Sequence, residues 1–254
     1  MTREREGRRA AIDAGAIETR TLAEILAVDF GTLLGQVVPA QAGLGDGDLV
    51  RLGALGISAR MAAVGRILLD RLGPRAIDAL GRHRSDTVRG WACFMIGARD
   101  LPLPDRLAAI RPYADDDHFG VREWAWLAVR PAVAARIDAA MPLLGDWTAD
   151  PSDRVRRFAS EATRPRGVWC AHIAALKADP SPGLPLLEPL RADPSAYVQD
   201  SVGNWLNDAA KSRPDWVRGL VAAWCAGDPP PSTRRIARRA LRSIDGSTAE
   251  KART

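Results

Sequence analysis

Apolar residues recur at three- and four-residue steps along most of this 254-residue chain, which is the period of an amphipathic helix. The alternation of apolar and polar residues that indicates a β-strand is never sustained. Asp-Pro dipeptides separate the helical stretches, because proline cannot continue a helix and an aspartate caps the next one. The clearest helical stretches are 57–73, 106–114, 133–147, 166–178 and 215–227. The pattern predicts an all-α protein.

One motif returns five times: a turn rich in Asp, Ser or Pro, followed by a β-branched residue that is usually next to an arginine. The copies lie at 85–94, 118–127, 152–161, 195–204 and 233–242, and their β-branched anchors are Val88, Val121, Val155, Val198 and Ile236. Successive anchors are 33, 34, 43 and 38 residues apart. Such a period, with two helices per unit, is typical of HEAT and armadillo arrays, in which each unit buries its apolar face against its neighbours. We therefore predict a HEAT-like helical repeat solenoid.

This interpretation divides the chain into three parts. They are a charged N-terminal tail at 1–17 that needs no fixed structure, a single HEAT-like repeat domain at 18–246 made of an N-terminal cap (18–80) and central repeats (81–246), and a C-terminal tail at 247–254. The cap is expected to be atypical, because terminal repeats close the stack. Within it, 18–39 predicts one amphipathic helix or two short ones, and the glycine-rich stretch 42–56 predicts a loop.

The chain is basic, with a net charge of +5 and a pI of about 9.6. This balance favours an anionic partner such as nucleic acid, although a GC-rich genome would enrich arginine equally well. Cys93, Cys170 and Cys225 are far apart and the histidines form no ligand pattern, so we expect neither a disulfide framework nor a metal site. The N-terminus has no secretory h-region and no stretch is apolar enough for a membrane helix, which favours a cytoplasmic protein.

Polar residues occupy the side of each second helix that faces away from the anchor. A residue two positions after the anchor lies about 200° around the helix, and three consecutive repeats have Glu123, Arg157 and Asp200 there. The full stripes are Phe119, Glu123, Trp126 and Arg130 on one helix, Arg157, Glu161 and Arg164 on the next, and Asp200, Asn204 and Asn207 on the third. Stacked repeats would place the stripes side by side on one concave basic groove. The alternative is an ordinary solvated face with charge pairs such as Arg157 and Glu161.

The eight tryptophans also divide between the anchor side of the helices and the polar stripe. Most must belong to the core, because an indole buries a large apolar area. Trp124 and Trp205 fall nearer the anchor side, which favours the core. Trp126 falls nearer the stripe and Trp169 follows a basic elbow at 164–167, so each fits the core and a ligand contact about equally well.

Several of these segments resemble the AlkC branch of the AlkC/AlkD DNA glycosylases. The stretches that carry the resemblance are 20–30, 118–131, 156–169, 183–211 and 238–244. The strings RRFASE…RPRGVW and YVQDSVGNWLND are far more specific than a generic HEAT consensus. The likeness spans nearly the whole chain.

The resemblance implies a monofunctional glycosylase that removes cationic N-alkylated purines, chiefly 3-methyladenine, from duplex DNA without a metal, a cofactor or base flipping. It implies a protein that acts on the bacterial nucleoid, and a chain that ends before the immunoglobulin-like domain of some relatives. The sequence leaves the oligomeric state open, but a solenoid that forms its own groove can act as a monomer, and we expect one. The resemblance assigns the catalytic carboxylates to Glu123, Glu161 and Asp200. The candidate lesion contacts are Phe119, Trp126, Trp169, Asn204, Trp205 and Asn207, and the candidate phosphate contacts are Arg156, Arg157, Arg164 and Arg166.

These residue types suit the chemistry. A carboxylate stabilises the oxocarbenium-like sugar that forms as the glycosidic bond breaks, and aromatic faces attract a cationic base. Two other classes stay open: a non-catalytic HEAT scaffold that binds DNA or protein, and a lesion-binding relative without activity. The preference among 3-methyladenine, 7-methylguanine and bulky adducts also stays open.

Overall fold

A computed structural model describes residues 2–38 and 45–251, and within these two ranges the regular secondary structure is helical, as the sequence predicts. The helices are α1 (Thr2–Asp13), α2 (Leu22–Ala27), α3 (Phe30–Val37), α4 (Asp46–Gly53), α5 (Ile57–Leu72), α6 (Ala76–Gly81), α7 (Asp86–Ala98), α8 (Leu103–Ala114), α9 (Phe119–Ala135), α10 (Ile137–Gly145), α11 (Asp153–Ala162), α12 (Ala174–Ala178), α13 (Leu184–Leu190), α14 (Ala196–Ala210), α15 (Pro214–Trp224) and α16 (Pro231–Lys251). Two short 3₁₀ turns follow α10 and precede α13. None of the described helices has an apolar stretch long enough to cross a bilayer.

Contacts divide the chain into two compact units, Met1–Val129 and Arg130–Thr254. In the first unit α7 packs against α5, α6 and α8. In the second unit α14 packs against α11, α15 and α16. The second unit thus brings the anchor-bearing helices α11, α14 and α16 of consecutive repeats side by side, which agrees with the predicted helical repeat.

The five β-branched anchors are completely buried, as expected of the residues that hold the repeats together. The residue after the anchor explains why arginine recurs in the motif. Its side chain donates hydrogen bonds to two backbone carbonyls five and six residues earlier, in the turn that precedes the helix. Four repeats share this pair of side-chain-to-backbone hydrogen bonds. The donors are Arg89, Arg122, Arg156 and Gln199, with donor–acceptor distances of 2.7–3.4 Å.

Two of these arginines also reach the turn of the next repeat. Arg89 donates from Nε and Nη2 to the two carboxylate oxygens of Asp116, at 2.9 and 3.1 Å. Arg156 binds Asp193 in the same way, at 2.7 and 3.1 Å. This bidentate pair uses up the groups of Arg156 that would hold a phosphate, so the structure gives this residue an architectural role in place of the predicted phosphate contact.

The predicted tails are more structured than their charge suggests. Residues 2–13 form α1, in which Ile12 is buried and Arg8 pairs with Glu24 at 2.7 Å. This apolar contact and ion pair hold a segment that composition alone predicts to be a tail. At the other end α16 continues to Lys251, well into the predicted tail, while 252–254 lie outside the described residues.

The cap differs from the prediction in one segment. Residues 18–39 contain two short helices, α2 and α3, which was one of the two predicted forms. The predicted loop at 42–56 instead contains α4 over Asp46–Gly53, while 39–44 lie outside the described residues. The carboxylate of Asp48 accepts a hydrogen bond from the Gly45 backbone and binds Arg51 and Arg71, which supports a helix despite the glycines.

The helix predicted over 166–178 is wrong for most of its length, because only Ala174–Ala178 are helical. The preceding segment wraps around the buried side chain of Arg130. Its guanidinium donates to the carbonyl oxygens of Ala162, Arg164 and Ala171 at 2.6–3.3 Å. Of these acceptors Ala171 lies within the predicted helix, and its carbonyl binds the buried guanidinium, so a tertiary contact overrides the periodicity of the sequence.

Candidate functional site

In the first unit, α9 holds the candidate catalytic residue Glu123 in a half-buried position. Val121 and Trp124 on the same helix are buried in the core, and Trp124 packs against Phe94 with ring centroids 6.2 Å apart. These contacts fix the rotation of α9 about its axis. The carboxylate of Glu123 accepts a hydrogen bond of 2.7 Å from Nε1 of Trp126, one turn later.

The indole of Trp126 therefore acts as a hydrogen-bond donor to the Glu123 carboxylate and not as a contact for a ligand. The side chain is 2% exposed, so its ring cannot offer a face to a base, in contrast to the predicted lesion contact. Phe119 is half-buried, and its ring lies 4.8 Å from that of His118 between centroids. Phe119 keeps enough exposure to remain a candidate contact.

In the second unit, Glu161 on α11 is the centre of a buried charge network. It is 3% exposed, and its two oxygens accept hydrogen bonds from Arg164 at 2.7 Å and from the Ser201 hydroxyl at 2.6 Å. Arg157 lies 3.5 Å from the same carboxylate. Burial by itself raises the pKa of Glu161, but the charges of Arg157 and Arg164, helped by the two hydrogen bonds, outweigh it and lower the pKa. Glu161 is thus an anion whose charge two guanidinium groups already neutralise.

Asp208 on α14 completes this network and was not among the sequence candidates. It is 3% exposed and binds Arg164 through Nε and Nη2, both at 2.9 Å. Its spacing of eight residues from Asp200, two helical turns, was a signal that could have placed it on the stripe. Asn207, which was predicted there, is buried instead and bonds the Ala240 carbonyl and the Ser243 hydroxyl.

Asp200 and Asn204 lie half-buried on α14 opposite the arginines of α16. Asp200 pairs with Arg235 at 2.8 Å and with Arg239 at 3.0 Å. The side-chain oxygen of Asn204 accepts hydrogen bonds from Arg239 at 2.9 Å and from Arg242 at 3.1 Å. Together, one carboxylate and one amide of α14 hold three arginines of α16, which leaves an excess of positive charge at this face.

The arginines of α16 are functional candidates that the sequence reasoning missed. The repeated motif contains them as TRRIARRALR, on both sides of its anchor Ile236. Arg238 and Arg242 are exposed, and Arg238 has no ion pair or side-chain hydrogen bond within the described part of the chain. An exposed arginine without a carboxylate partner is free to bind phosphate.

The arginines that were predicted to contact phosphate, on α11 and just after it, mostly bind other groups of the protein. Arg157 is 9% exposed, and its guanidinium lies 4.7 Å from the centre of the Tyr197 ring. Arg164 is held between two carboxylates, as described above. Arg166 is half-buried and donates to the Ser212 hydroxyl at 2.8 Å. These side chains are better suited to shaping the surface than to binding phosphate directly.

The loop around Arg130 presents an apolar tip. Val168 and Trp169 are 54% and 44% exposed, whereas most large apolar side chains in the described ranges are buried. Trp169 has a φ of +59°, a left-handed conformation that is costly for a bulky residue. Gly167 makes the turn possible, because a Cβ there would lie 2.5 Å from Sγ of Cys170 and 3.1 Å from Cζ of Arg130. A strained, exposed tryptophan on a firmly held loop suggests a contact residue.

Trp205 belongs to the interior, in line with the core alternative and against its place among the lesion contacts. It is 0% exposed, and its Nε1 donates to the Thr163 hydroxyl at 3.2 Å. In the described ranges His, Cys, Asp and Glu side chains nowhere gather in the groups of three that a metal ion needs.

Comparison with known proteins identifies the class. Residues 105–242 match the family model described as DNA alkylation repair enzyme. Because this match covers more than half of the chain, the protein belongs to the DNA alkylation repair enzyme family.

Individual relatives agree with this assignment. The chain is 28% identical to Pseudomonas fluorescens alkylpurine DNA glycosylase AlkC, solved bound to DNA containing an abasic site analog, with a TM-score of 0.67 over 94% of this chain and 62% of AlkC. AlkD2 from Streptococcus mutans is 18% identical with a TM-score of 0.58, covers 94% of this chain and 99% of its own, and shows the fold alone. YhaZ of Bacillus subtilis (strain 168) is 41% identical over 117 residues, which is 46% of this chain and 32% of YhaZ. The chain thus spans about a third of the curated relative and 62% of AlkC.

Proposed function

We propose that this protein is a DNA glycosylase that hydrolyses the N-glycosidic bond of cationic N-alkylated purines, chiefly 3-methyladenine, in duplex DNA. The observation that carries the proposal is the likeness to AlkC, which extends over 94% of this chain at 28% identity. A half-buried glutamate held by an indole, an exposed tryptophan and a helix rich in arginine add chemical support.

The reaction needs little acid catalysis. An N3-alkylated adenine carries a positive charge, so it leaves as a neutral base with the bonding electron pair, and the deoxyribose becomes an oxocarbenium-like cation. Water adds to C1′ of the sugar and releases one proton, giving free base and an abasic site. Neutral purines are spared because they lack this built-in activation.

Glu123 is the residue we assign to the sugar. Its carboxylate stabilises the developing positive charge and orients the attacking water. The hydrogen bond from Trp126 holds the carboxylate in one orientation, so little reorganisation is needed when the charge forms.

Glu161 and Asp200 receive a different role in this proposal. Each carboxylate is already paired with two arginines, which weakens its attraction for a sugar cation. We assign them to holding Arg157, Arg164, Arg235 and Arg239 in fixed positions, so that the second unit offers an ordered basic surface.

Trp169 and Phe119 are the proposed aromatic contacts, and Asn204 is a polar contact on α14. An aromatic face attracts a cationic base by about 0.5–2 kcal/mol. Arg238 and Arg242 are the proposed phosphate contacts, which fix the register of the duplex. Recognition through the positive charge of the lesion does not require a pocket for a flipped base, in contrast to conventional glycosylases.

Release of free base from methylated DNA tests the proposal. Duplex DNA treated with a methylating agent is incubated with the protein, and the soluble fraction is separated by chromatography. We expect free 3-methyladenine in excess over 7-methylguanine. DNA binding without release of any methylated base would favour the non-catalytic alternative.

A further inference from the structure

A cavity of about 540 Å³ lies within the first unit, on the side formed by α6 and α8. Arg75 and Arg82 flank α6, and Arg99 follows α7. All three line the cavity. None of the residues assigned to the glycosylase reaction belongs to it.

The three arginines lack protein partners. None of their guanidinium groups has a hydrogen bond or an ion pair with any other residue in the described ranges 2–38 and 45–251. By contrast, Arg89 and Arg156 each bind a carboxylate in bidentate fashion. Guanidinium groups without a carboxylate partner keep their donors for an anionic ligand.

A fourth donor faces the same space. The hydroxyl of Tyr113 on α8 lies over Gly81, where a Cβ would come within 2.0 Å of the oxygen. The absent side chain of Gly81 thus leaves the room that the phenol occupies. Burial raises the pKa of Tyr113, so the hydroxyl keeps its proton and can donate it to an acceptor.

The acidic groups of the cavity limit what can bind. Asp116 is neutralised by Arg89, but Asp78 is exposed and lines the cavity as well. Ile77 and Ile96 add an apolar wall. The lining therefore suits a ligand with a phosphate group, an apolar ring and a hydrogen-bond donor for Asp78. Cavities of about 300–1,000 Å³ hold small molecules, so a nucleotide is of the right size.

From this donor set we infer that the first unit contains a phosphate-ester site formed by Arg75, Arg82, Arg99 and Tyr113. The phosphate belongs either to a free nucleotide or to a DNA backbone, since both present the same oxygens to arginine. The inference does not depend on the proposed glycosylase activity.

Binding measurements with three probes test it: inorganic pyrophosphate and ADP by calorimetry, and an unmodified 12-base-pair duplex by fluorescence anisotropy. The variant Arg75→Gln/Arg82→Gln/Arg99→Gln is compared with the charge-matched control Arg3→Gln/Arg5→Gln/Arg66→Gln, whose arginines are exposed on α1 and α5 of the same unit. The changed side chains of both variants are exposed or half-exposed, so both are expected to fold, which the thermal unfolding midpoint checks.

We expect the cavity variant to lose at least about tenfold in affinity and the control less than about threefold, because guanidinium–phosphate hydrogen bonds are strong. Tyr113→Phe should cost a smaller factor. Loss of pyrophosphate and ADP binding identifies a free nucleotide as the source, and loss of duplex binding alone identifies DNA. Equal affinities of cavity variant and wild type for every probe, or equal losses in the control, would overturn the inference.

Discussion

Arg156 on α11 binds Asp193, in the turn before α14, through two parallel hydrogen bonds of 2.7 and 3.1 Å. Asp193 in turn accepts a hydrogen bond from the Ser195 backbone and begins the next repeat. The same geometry joins Arg89 to Asp116, whose carboxylate accepts from the His118 backbone. An arginine beside the buried anchor is thus a connector between consecutive repeats.

Because Arg156 connects two repeats and Arg238 is exposed, we expect their substitutions to have different effects on stability and on DNA binding. Arg156→Gln should lower the free energy of unfolding by about 2–4 kcal/mol, because it leaves Asp193 buried without its cation. The slope of log affinity for duplex DNA against log salt should stay unchanged, since Arg156 does not reach phosphate in our proposal. Denaturant unfolding and a salt titration measure the two effects.

Arg238→Gln should behave in the opposite way. Its exposed side chain has no partner within the described residues, so stability should change by less than about 0.5 kcal/mol. Its proposed phosphate contact predicts weaker binding to every sequence and a salt slope smaller by about 1. A salt slope identical to that of the wild type would remove Arg238 from the interface.

The sequence predicts the buried positions of the repeats but not the partners of their charged residues. The spacing of anchors predicts the buried positions, because apolar periodicity follows directly from helix geometry. The partner of each arginine is not encoded locally: Arg156 meets a carboxylate 37 residues away, and Glu161 a hydroxyl 40 residues away. The stripe therefore predicts charged residues on the right helices but not which charges are already neutralised.

The loop before α12 shows a second limit. Residues 166–173 have a helical composition, yet their conformation is set by the Arg130 guanidinium and by the room at Gly167. Tertiary contacts of this kind override local propensity. The exposure of Trp169 could thus be suspected from the basic elbow in the sequence, but its left-handed backbone could not.

Trp169 offers a test of stored strain. Trp169→Gly and Trp169→Ala remove the same ring, but only glycine adopts a φ of +59° without cost. We expect the glycine variant to be more stable than the alanine variant by about 1 kcal/mol in denaturant unfolding. Both should lose excision activity to a similar extent if the ring contacts the lesion, whereas Val168→Ala should retain it. Equal stability of the two variants would contradict the strained conformation.

The lowered pKa of Glu161 predicts how stability depends on pH. The pKa of the Glu161 carboxyl is about 4.5 in the unfolded chain and lower in the folded protein. The ionised carboxylate therefore stabilises the fold fully above pH 4.5. This contribution is lost as the pH falls through the pKa of the folded state. Glu161→Gln should therefore cost about 3–5 kcal/mol at neutral pH, because Arg157 and Arg164 lose their shared partner, and much less in acid. Denaturant midpoints of wild type and variant between pH 7 and pH 3 should converge. Parallel curves would show that Glu161 is not a charged partner of these arginines.

The assignment of Glu123 is the central chemical claim, and single-turnover excision of 3-methyladenine measures it most directly. Wild type, Glu123→Gln and the control Asp100→Asn, which neutralises an exposed carboxylate in the same unit, are compared at saturating protein. We predict that Glu123→Gln lowers the rate at least about tenfold while duplex affinity stays within about twofold, and that Asp100→Asn matches the wild type. An unchanged rate for Glu123→Gln would contradict the account.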